Sequence, residues 1–266
     1  MAVVCIASLK RSEIFYANTF RSIPKSWRKK TYLFVHQSEV GDYDDAIPAK
    51  QIIPVPDDLK GLGRYRQYVA DHAPDNPILL LDDDLRLCSR IKEKGRYRVV
   101  SAEENDKEEC FDLLIDWLSP ANVCQTAIGS EWRCHEKPSI VKNMMCGMAV
   151  GIDLDKMKEA KIRYDDFPFI MSDVYVCLSF LLKGYTNKVT FDYVIRRLPP
   201  NTEGGSSVYR TKGMMKEWSN RLAELFPGLV VVYNRKNNWP GLGTGTANAR
   251  IAWKKAVYIG QNKKRA

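Results

Sequence analysis

The sequence predicts an α/β protein with a mostly parallel sheet and helices on both of its faces. Strand-like and helix-like segments alternate along the first half of the chain, a rhythm typical of βαβ units. The clearest strand is the short apolar run at residues 78–81, which follows two prolines and has the composition of a strand buried on both faces. With 266 residues, 45% of them hydrophobic, the chain can form one large domain with a sizeable core.

Hydrophobic periodicity assigns the elements in order. Predicted strands lie at residues 2–7, 32–35, 51–55, 78–81, 144–152, 189–194 and 229–233. Predicted helices lie at residues 13–23, 62–72, 110–118, 154–160, 174–182 and 214–226. Pro24 ends the first helix, Gly184 caps the fifth and Pro227 stops the last. These elements form a single domain, residues 1–234.

The remaining residues, 235–266, predict a basic C-terminal segment. It begins as a loop rich in glycine and ends in a short element at residues 251–259. Its cations are interleaved with Trp239, Trp253 and Tyr258. Basic residues with aromatic rings favour a polyanionic partner, because cations neutralise phosphates and rings stack on exposed bases. A frayed basic tail would have the same composition.

The formal net charge of +9 makes nucleic acid a better candidate partner than a membrane. Besides the C-terminal segment, basic residues gather at 25–30 and at 92–98. No apolar stretch reaches the length of a membrane span, and the N-terminus lacks the basic region of a signal peptide. The expectation is therefore a cytoplasmic protein.

The seven cysteines are scattered without a Cys-x-x-Cys motif, which favours reduced thiols. Cys124, Cys134 and His135 lack the fourth ligand and the usual spacing of a zinc site. We expect them to be structural residues.

Three adjacent acids, Asp82, Asp83 and Asp84, end the strand at residues 78–81. Carboxylates this close repel one another, and desolvating them without partners costs several kcal/mol. In an extended chain Asp82 and Asp84 share one face and Asp83 lies on the other. Two carboxylates on one face suit a divalent ion that also binds a diphosphate. Solvated acids, or acids paired with nearby arginines, are the alternative.

Four further features point to the same crevice, the one beyond the carboxyl ends of the strands in an open α/β sheet. Ser8, Lys10 and Arg11 follow the first strand directly, although a solvated turn would look the same. Gly61 and Gly63 open a helix whose first turn carries Arg64 and Arg66, a natural anion site or an exposed helix surface.

The other two features lie in the second half. Ser172 and Asp173 open an apolar helix, where they could cap the helix or Asp173 could act as a general base. Gly205 and Ser206 belong to a polar glycine-rich loop followed by Arg210 and Lys212. Such a loop can close over a diphosphate, although a plain surface loop explains it equally well.

In this order, the residues resemble those of the GT-A nucleotide-sugar glycosyltransferases, which have a Rossmann-like fold. The Asp triplet is similar to the Asp-x-Asp motif of these enzymes, and Ser8–Arg11 is similar to their nucleotide-contacting turn. Ser172-Asp173-Val174, followed by Leu178, Leu181 and Lys183-Gly184-Tyr185, resembles the helix that carries their candidate base. The subfamily with the strongest resemblance is the phage glycosyltransferases associated with TET-type dioxygenases, and more distantly the base J glucosyltransferases. The resemblance spans roughly residues 2–233.

The resemblance implies a metal-dependent transfer of a sugar from a UDP-sugar to a hydroxymethylated base in DNA, such as 5-hydroxymethylcytosine. It implies Mn²⁺ or Mg²⁺ on Asp84 and Asp82, and Asp173 as catalytic base. The donor would contact Ser8, Lys10, Arg11, Arg64, Arg66, Asp82, Asp83, Gly205 and Ser206. The acceptor DNA would contact Arg210, Lys212, Arg235, Lys236, Trp239, Lys254 and Lys255.

Two departures from the family pattern limit what is carried over. The three histidines, His36, His72 and His135, come too early to supply the late metal ligand of many such enzymes. Ser172 replaces the acidic residue that usually precedes the base, which leaves inversion or retention open.

Rival readings remain open from the sequence alone. A glycosyltransferase with a saccharide or protein acceptor, a nucleotidyltransferase and a non-enzymatic nucleic-acid-binding protein would share parts of the pattern. A nucleotidyltransferase usually has a glycine-rich stretch after the first strand, and residues 8–11 contain no glycine.

Overall fold

The computed structural model describes residues 1–43, 47–199, 202–239 and 242–263, and is built around one large sheet. Its strands are β1 (Val3–Ala7), β2 (Thr31–His36), β3 (Ile52–Val55), β4 (Ile78–Asp82), β5 (Leu85–Glu93), β6 (Arg96–Ser101), β7 (Val123–Ser130), β8 (Ile140–Lys142), β9 (Ala149–Ile152) and β10 (Thr186–Arg197). A separate hairpin contains β11 (Val230–Trp239) and β12 (Gly243–Ile251). The helices are α1 (Ser12–Ala17), α2 (Thr19–Ser22), α3 (Leu62–His72), α4 (Glu104–Asp116), α5 (Leu154–Glu159), α6 (Ser172–Leu182), α7 (Lys212–Leu225) and α8 (Trp253–Lys263).

The large sheet has the strand order β3-β2-β1-β4-β9-β7-β10-β5-β6, and β8 pairs with β10 outside this path. Strands β1 to β4 form a parallel block, and β7, β10 and β6 run in the same direction. Strands β9, β5 and β8 run in the opposite direction. The predicted α/β architecture with a mostly parallel sheet is therefore confirmed. The register places Ala7 beside Asp82, so the segments that follow β1 and β4 emerge side by side.

Two hydrophobic clusters cover the two faces of the sheet. One includes Tyr65 and Val69 of α3 together with Cys177 and Phe180 of α6. The other contains residues of α1 and α4, among them Phe111. Because both faces are covered, the strand interiors consist of nearly continuous apolar residues, as expected for a buried parallel sheet.

The bounds of several elements differ from those predicted from the sequence. The helix expected at residues 13–23 breaks into α1 and α2 at Asn18, whose side chain donates to the Ile14 carbonyl. The acidic residues before position 110 belong to α4, which begins with a capping box of Glu103 and Asp106. Only residues 149–152 of the strand expected at 144–152 are extended.

Four strands of the large sheet, β5 to β8, were missing from the sequence-based assignment. Strands β5 and β6 form a long hairpin whose outer half is exposed and highly charged. Strand β7 contains Gln125 and Thr126, buried polar residues that interrupt its apolar run. Neither pattern matches the apolar runs that predicted the other strands.

The C-terminal residues are more ordered than predicted. They form the β11–β12 hairpin and helix α8 instead of a loop, and the position of the expected boundary after residue 234 lies within β11. A third hydrophobic cluster joins them to the domain through Leu178 of α6, Trp218 of α7 and Ala256 of α8. Residues 264–266 lie outside the described part of the chain.

All seven cysteines are free and buried, consistent with the prediction of reduced thiols. Among the described residues, no helix is both long enough and apolar enough to cross a membrane.

The contact between α6 and α8 generates a stability prediction. A Cβ on Gly260 would lie 1.9 Å from the Leu181 carbonyl oxygen, so Gly260→Ala must displace α8. We expect a loss of about 1–3 kcal/mol from overpacking, although alanine favours a helix by about 1 kcal/mol. Urea denaturation measures this change.

The matched control is Gly213→Ala, also in a helix, where the nearest atom would be Thr211 Oγ1 at 3.7 Å. This variant should be as stable as the wild type or more stable. Equal stabilisation by both substitutions would contradict the close packing of α8 on α6.

Candidate functional site at the ends of β1 and β4

The three acids at the end of β4 all pair with arginines. Asp82 Oδ1 accepts a hydrogen bond from Arg66 Nη2 at 3.0 Å. Arg11 Nη1 donates to Asp83 Oδ1 at 3.0 Å and lies 3.5 Å from Asp84 Oδ2. The arginine-paired arrangement that the sequence left open is thus present, and the two guanidinium groups come from different elements, α3 and the turn after β1.

The turn after β1 is fixed by buried polar contacts. Ser8 Oγ donates to Asp83 Oδ2 at 2.8 Å and lies 2.7 Å from the Tyr43 hydroxyl. The Tyr65 hydroxyl donates to the Ser8 carbonyl at 3.1 Å. Lys10 adopts a left-handed backbone conformation, with its N–H donated to Glu39 Oε2 at 2.7 Å. Ser8 is therefore a buried partner of Asp83, whereas the Lys10 side chain is exposed.

Arg11 also holds the glycine-rich loop. Its Nε donates to the Glu203 carbonyl at 2.9 Å and its Nη2 to the Thr202 carbonyl at 2.8 Å. The loop packs so closely on this side chain that a Cβ on Gly204 would lie 2.5 Å from Arg11 Cγ. Gly205 follows with a φ of +55°, a conformation that glycine adopts without strain.

The start of α3 is less open than the sequence suggested. The N–H groups of Gly63 and Arg64 donate to the Pro168 carbonyl at 2.9 and 3.1 Å, so they are not available to an anion. The exposed Arg64 guanidinium lies 5.4 Å from the centre of the Phe169 ring. Arg66 is 4% exposed and faces the acids. Of the three arginines assigned to the donor, Arg11 and Arg66 contact the triplet, whereas Arg64 does not.

Asp173 lies in the first turn of α6. Its carboxylate interacts electrostatically with both Arg66 and Arg210. The N-cap position is occupied by Met171, which makes no side-chain cap bond. Asp173 Oδ1 accepts a hydrogen bond from the Val174 N–H at 2.9 Å, so Asp173 satisfies one of the free N–H groups at the helix start, in keeping with the capping role that the sequence left open.

Burial and like charge shift the acid pKa values. Burial raises the pKa of Asp84 to about 7, with repulsion from Asp82 and Asp83 adding to the rise and Arg11 and Arg197 opposing it. Burial also raises the pKa of Asp83, against the effects of Arg11 and Ser8.

Two arginine pKa values shift in opposite directions. Burial works against the charge of Arg66, but the carboxylates of Asp82 and Asp173 outweigh it and raise its pKa. Burial lowers the pKa of Arg210 despite the opposing effect of Asp173. The cleft thus holds acids and arginines close together, and the pKa values of both Asp83 and Asp84 are raised by burial.

The described residues contain no group of three or more His, Cys, Asp or Glu side chains arranged to hold a metal ion. Asp82 and Asp84 nevertheless fit a hard divalent cation, because both present carboxylate oxygens and Asp84 has only a long contact with Arg11. Because the described residues supply no third ligand, such a cation would take its other oxygens from a bound phosphate or water.

The residues assigned to DNA are spread over two places. Arg210 lies in the cleft, where its Nη2 donates to Ser206 Oγ at 2.6 Å. Lys212 Nζ donates to the Thr244 carbonyl at 2.8 Å and joins α7 to the β11–β12 hairpin. Arg235, Lys236, Lys254 and Lys255 are exposed, and Lys255 Nζ donates to the Gly228 carbonyl at 3.2 Å. The side chain of Trp239 lies outside the described part of the chain.

Several residues of the site were not found from the sequence. Glu39 and Tyr43 come from the helical turn Gln37–Tyr43 after β2 and support the Ser8 turn. Arg197, at the end of β10, acts on Asp84 through its charge. They carry no motif, and only the convergence of β1, β2 and β10 at one end of the sheet brings them to the acids.

The raised pKa of Asp84 predicts how stability depends on pH without added metal. The folded protein holds this proton more tightly than the unfolded chain, so the contribution is full below the ordinary value of 3.8 and is lost as the pH rises to about 7. Relative to Asp84→Asn, the wild type should lose up to about 4 kcal/mol over this range. Urea denaturation of both proteins in chelator, at several pH values, measures the difference. Parallel pH profiles would contradict the assignment.

A family model and a phage enzyme both match this chain. The family model of the TET-Associated Glycosyltransferases matches residues 2–199. The Beta-glucosyl-HMC-alpha-glucosyl-transferase of Enterobacteria phage T2 is 23% identical over 209 residues, which cover 74% of this chain and 72% of that protein.

Solved glycosyltransferase structures share the fold at low identity. GalNAc-T7 with UDP, GalNAc and Mn²⁺ aligns with a TM-score of 0.53 at 10% identity, over 74% of this chain and 44% of its own. The mannosyltransferase PcManGT from Pyrobaculum calidifontis, in complex with GDP-Man and Mn²⁺, aligns with a TM-score of 0.52 at 11% identity, over 84% of this chain and 63% of its own. This chain spans less than two thirds of the length of either.

These matches confirm the predicted GT-A fold and the predicted class of enzyme. The family model extends over most of the chain, from β1 to the end of β10. The chain therefore belongs to the family of TET-associated glycosyltransferases.

Proposed function

We propose that this protein is a metal-dependent glycosyltransferase that moves a sugar from a UDP-sugar to a hydroxymethylated base in DNA, with 5-hydroxymethylcytosine as the acceptor. The observation that carries the proposal is the convergence of Asp82–Asp84, Arg11, Arg66 and Asp173 at the carboxyl ends of β1 and β4. Open α/β sheets place their ligands in this crevice.

The donor side would be formed by the acids and the arginines that neutralise them. Asp84, with Asp82, would hold Mn²⁺ or Mg²⁺, which supplies positive charge to the diphosphate as it leaves. Arg66 and Arg11 are cations already placed at the acids. Ser8 and Asp83 would fix the nucleotide end, and the exposed Lys10 and Arg64 would contact it from the rim.

The loop at Gly205 and Ser206 would close the donor site. Arg11 holds this loop against the turn after β1, and the Gly205 N–H donates to the Leu9 carbonyl at 2.8 Å. Closure of this kind excludes water, which would otherwise hydrolyse the donor.

Asp173 would take the proton from the acceptor hydroxyl. It lies within the electrostatic reach of Arg66, the arginine that binds Asp82, so the base and the donor acids share one cation. A carboxylate in this position can deprotonate a hydroxyl as the new glycosidic bond forms. If this attack is in line with the leaving diphosphate, the configuration of the sugar inverts.

The acceptor is inferred from charge and from the relative. The name of the phage T2 protein describes transfer of a glucosyl group to glucosylated HMC, and we take HMC as hydroxymethylcytosine. The net charge of +9 suits a DNA substrate. A base inside a duplex must be extruded before an enzyme can reach it, and the exposed cations Arg235, Lys236 and Lys254 would bind the flanking backbone. We place this reaction in the host cytoplasm if the protein is phage-encoded.

A second candidate acceptor is a sugar already attached to the base. It is favoured by the name of the T2 relative, whose acceptor carries a β-glucosyl group. The two candidates differ in the distance between the reactive hydroxyl and the base, and product analysis separates them.

The test is an assay with Mn²⁺, a panel of nucleotide sugars and three matched duplexes, carrying cytosine, 5-hydroxymethylcytosine or glucosylated 5-hydroxymethylcytosine. We expect a mass gain of one sugar only on a modified duplex, and loss of this gain in chelator. Asp84→Ala should abolish transfer while circular dichroism shows a folded protein. The control is Asp112→Ala, an exposed residue of α4, which should keep full activity. Donor hydrolysis without any DNA product, for these and other modified bases, would contradict a DNA acceptor.

A second substitution tests the proposed base. Asp173→Asn should lower the rate of transfer about 10²- to 10⁴-fold, because a carboxamide cannot accept the proton. The affinity for UDP should stay within about threefold of the wild type, since this residue is not assigned to the donor. Asp112→Asn is the matched control. A variant that retains near wild-type turnover would remove Asp173 from the mechanism.

A further inference from the structure

We propose that the β5–β6 hairpin and the turn Glu131–Glu136, together called the DNA arm, bind the duplex on one side of the acceptor base. This inference rests on the proposed function, because it assumes a DNA acceptor. It adds a binding surface distinct from the C-terminal segment. Two independent observations support it: an exposed tryptophan on a rigid turn and a cluster of cations at the hairpin end.

Trp132 projects from the turn into solvent, with 80% of its surface exposed. Leaving a large aromatic side chain uncovered forgoes the favourable free energy of burying it. Arg133 and His135, in the same turn, are also exposed. An aromatic ring with cations beside it is the combination that stacks on unpaired bases and neutralises the adjacent phosphates.

The turn that carries Trp132 is held at both ends. Glu131 forms a bidentate pair with Arg196, with oxygen–nitrogen distances of 2.7 and 2.8 Å. The buried Arg90 donates to the Cys134 carbonyl at 2.7 Å and to the Lys137 carbonyl at 2.6 Å. The backbone that carries the ring therefore loses little further conformational freedom when the ring meets a base.

The outer half of the hairpin is strongly basic. Lys92, Lys94, Arg96 and Arg98 are all exposed within residues 92–98. The carboxylates on or beside this surface are Glu93, Glu131, Glu136 and Asp192. All but Glu136 are paired with an arginine: Glu93 with Arg98, Glu131 with Arg196 and Asp192 with Arg90. Positive charge therefore exceeds negative charge on this surface, which suits a polyanion.

Arg90 joins the two parts of the arm. Its guanidinium binds the turn through the Cys134 carbonyl and lies 4.2 Å from the centre of the Tyr97 ring on β6. Tyr97 is itself 37% exposed. One buried guanidinium thus ties the turn that carries Trp132 to the strand that carries Tyr97.

This surface starts at the proposed active site. β5 begins at Leu85, the residue after Asp84, and Arg197, which acts on Asp84, pairs with Leu85 in the sheet. Arg196, the partner of the Trp132 turn, is the next residue along β10. At about 3.3 Å per residue, the cations at the hairpin end lie roughly 26 Å from Asp84. This length corresponds to about eight base pairs of B-DNA at 3.4 Å each.

The first test removes charge from the arm. The variant Lys92→Gln, Lys94→Asn, Arg96→Gln loses three positive charges, with asparagine at position 94 because that residue has a left-handed φ of +48°. The matched control, Arg21→Gln, Lys25→Gln, Lys29→Gln, loses three charges from exposed residues outside the arm, in α2 and the helical turn that follows it. Binding to a 24-base-pair unmodified duplex is measured by fluorescence anisotropy between 50 and 200 mM salt.

We expect the arm variant to bind more weakly and to lower the slope of log K against log salt by up to about 2.7, because each lost phosphate contact contributes about 0.9. The control should leave the slope within about one contact of the wild type. Equal slopes for the two variants would overturn the proposal.

The second test concerns Trp132. Trp132→Ala should weaken binding to a duplex with one unpaired base about 5- to 150-fold, the range for a lost stacking contact, and Trp132→Phe should recover part of it. Near-ultraviolet circular dichroism checks that both variants keep the wild-type fold. If the Trp132→Ala and Trp132→Phe variants both bind with wild-type affinity, Trp132 does not stack on a base.

The two proposals fail in different ways. If the wild type glycosylates a modified duplex and the arm variant does so with unchanged DNA affinity, the proposed DNA-binding role of the arm is wrong. The proposed glycosyltransferase function is then unaffected. If the wild type binds no DNA and transfers sugar only to a free saccharide, both fall.

Discussion

The structure depends on the neutralisation of three adjacent carboxylates at the end of a buried strand. Asp83 is 4% exposed, and Asp82 and Asp84 repel it and each other. A buried charge without a partner costs several kcal/mol, so the acids require cations from elsewhere in the fold. Arg66 of α3 and Arg11 of the turn after β1 supply them. The convergence of these two elements on β4 follows from this requirement.

Arg11 extends the same constraint to the glycine-rich loop, whose Thr202 and Glu203 lie 191 and 192 residues further along the chain. A guanidinium group has five N–H donors, and here they are divided between the acids and the carbonyls of Thr202 and Glu203. The glycine-rich loop therefore rests on the side chain that neutralises Asp83. This explains why Gly204 and Gly205 are needed there, since a Cβ at either would meet the Arg11 side chain within 3 Å.

The sequence predicted the parts of the fold in which one signal dominates. The apolar runs of β1 to β4 and the amphipathic pattern of α3 located those elements within one or two residues. The acids and Arg66 were found because the run of β4 stops abruptly and because a helix with arginines precedes it. The β5–β6 hairpin and β12 were missed, and the strand predicted at 229–233 is only the first part of β11. The stability of β5 comes from pairing with β10, and the C-terminal hairpin packs on α7, neither of which local periodicity encodes.

The site shows the same division. Residue types identified Ser8, Arg11 and Asp173, but not their partners. Glu39 and Tyr43 reach Ser8 only because β2 lies next to β1. Conversely, Arg64 satisfied the sequence pattern for an anion site, yet the Pro168 carbonyl occupies the N–H groups of its helix start. A motif specifies chemistry, whereas the topology decides which members of the motif meet.

The topology also determines where the basic surfaces of the protein begin. The basic C-terminal hairpin is tied to α7 through Lys212 and Thr244, next to Arg210 in the cleft. The β5–β6 hairpin begins at Leu85, the residue that follows Asp84. Basic surfaces therefore start near the crevice from two parts of the fold. In the proposed function, a duplex bound by both would be held on either side of the acceptor base, which must leave the stack to react.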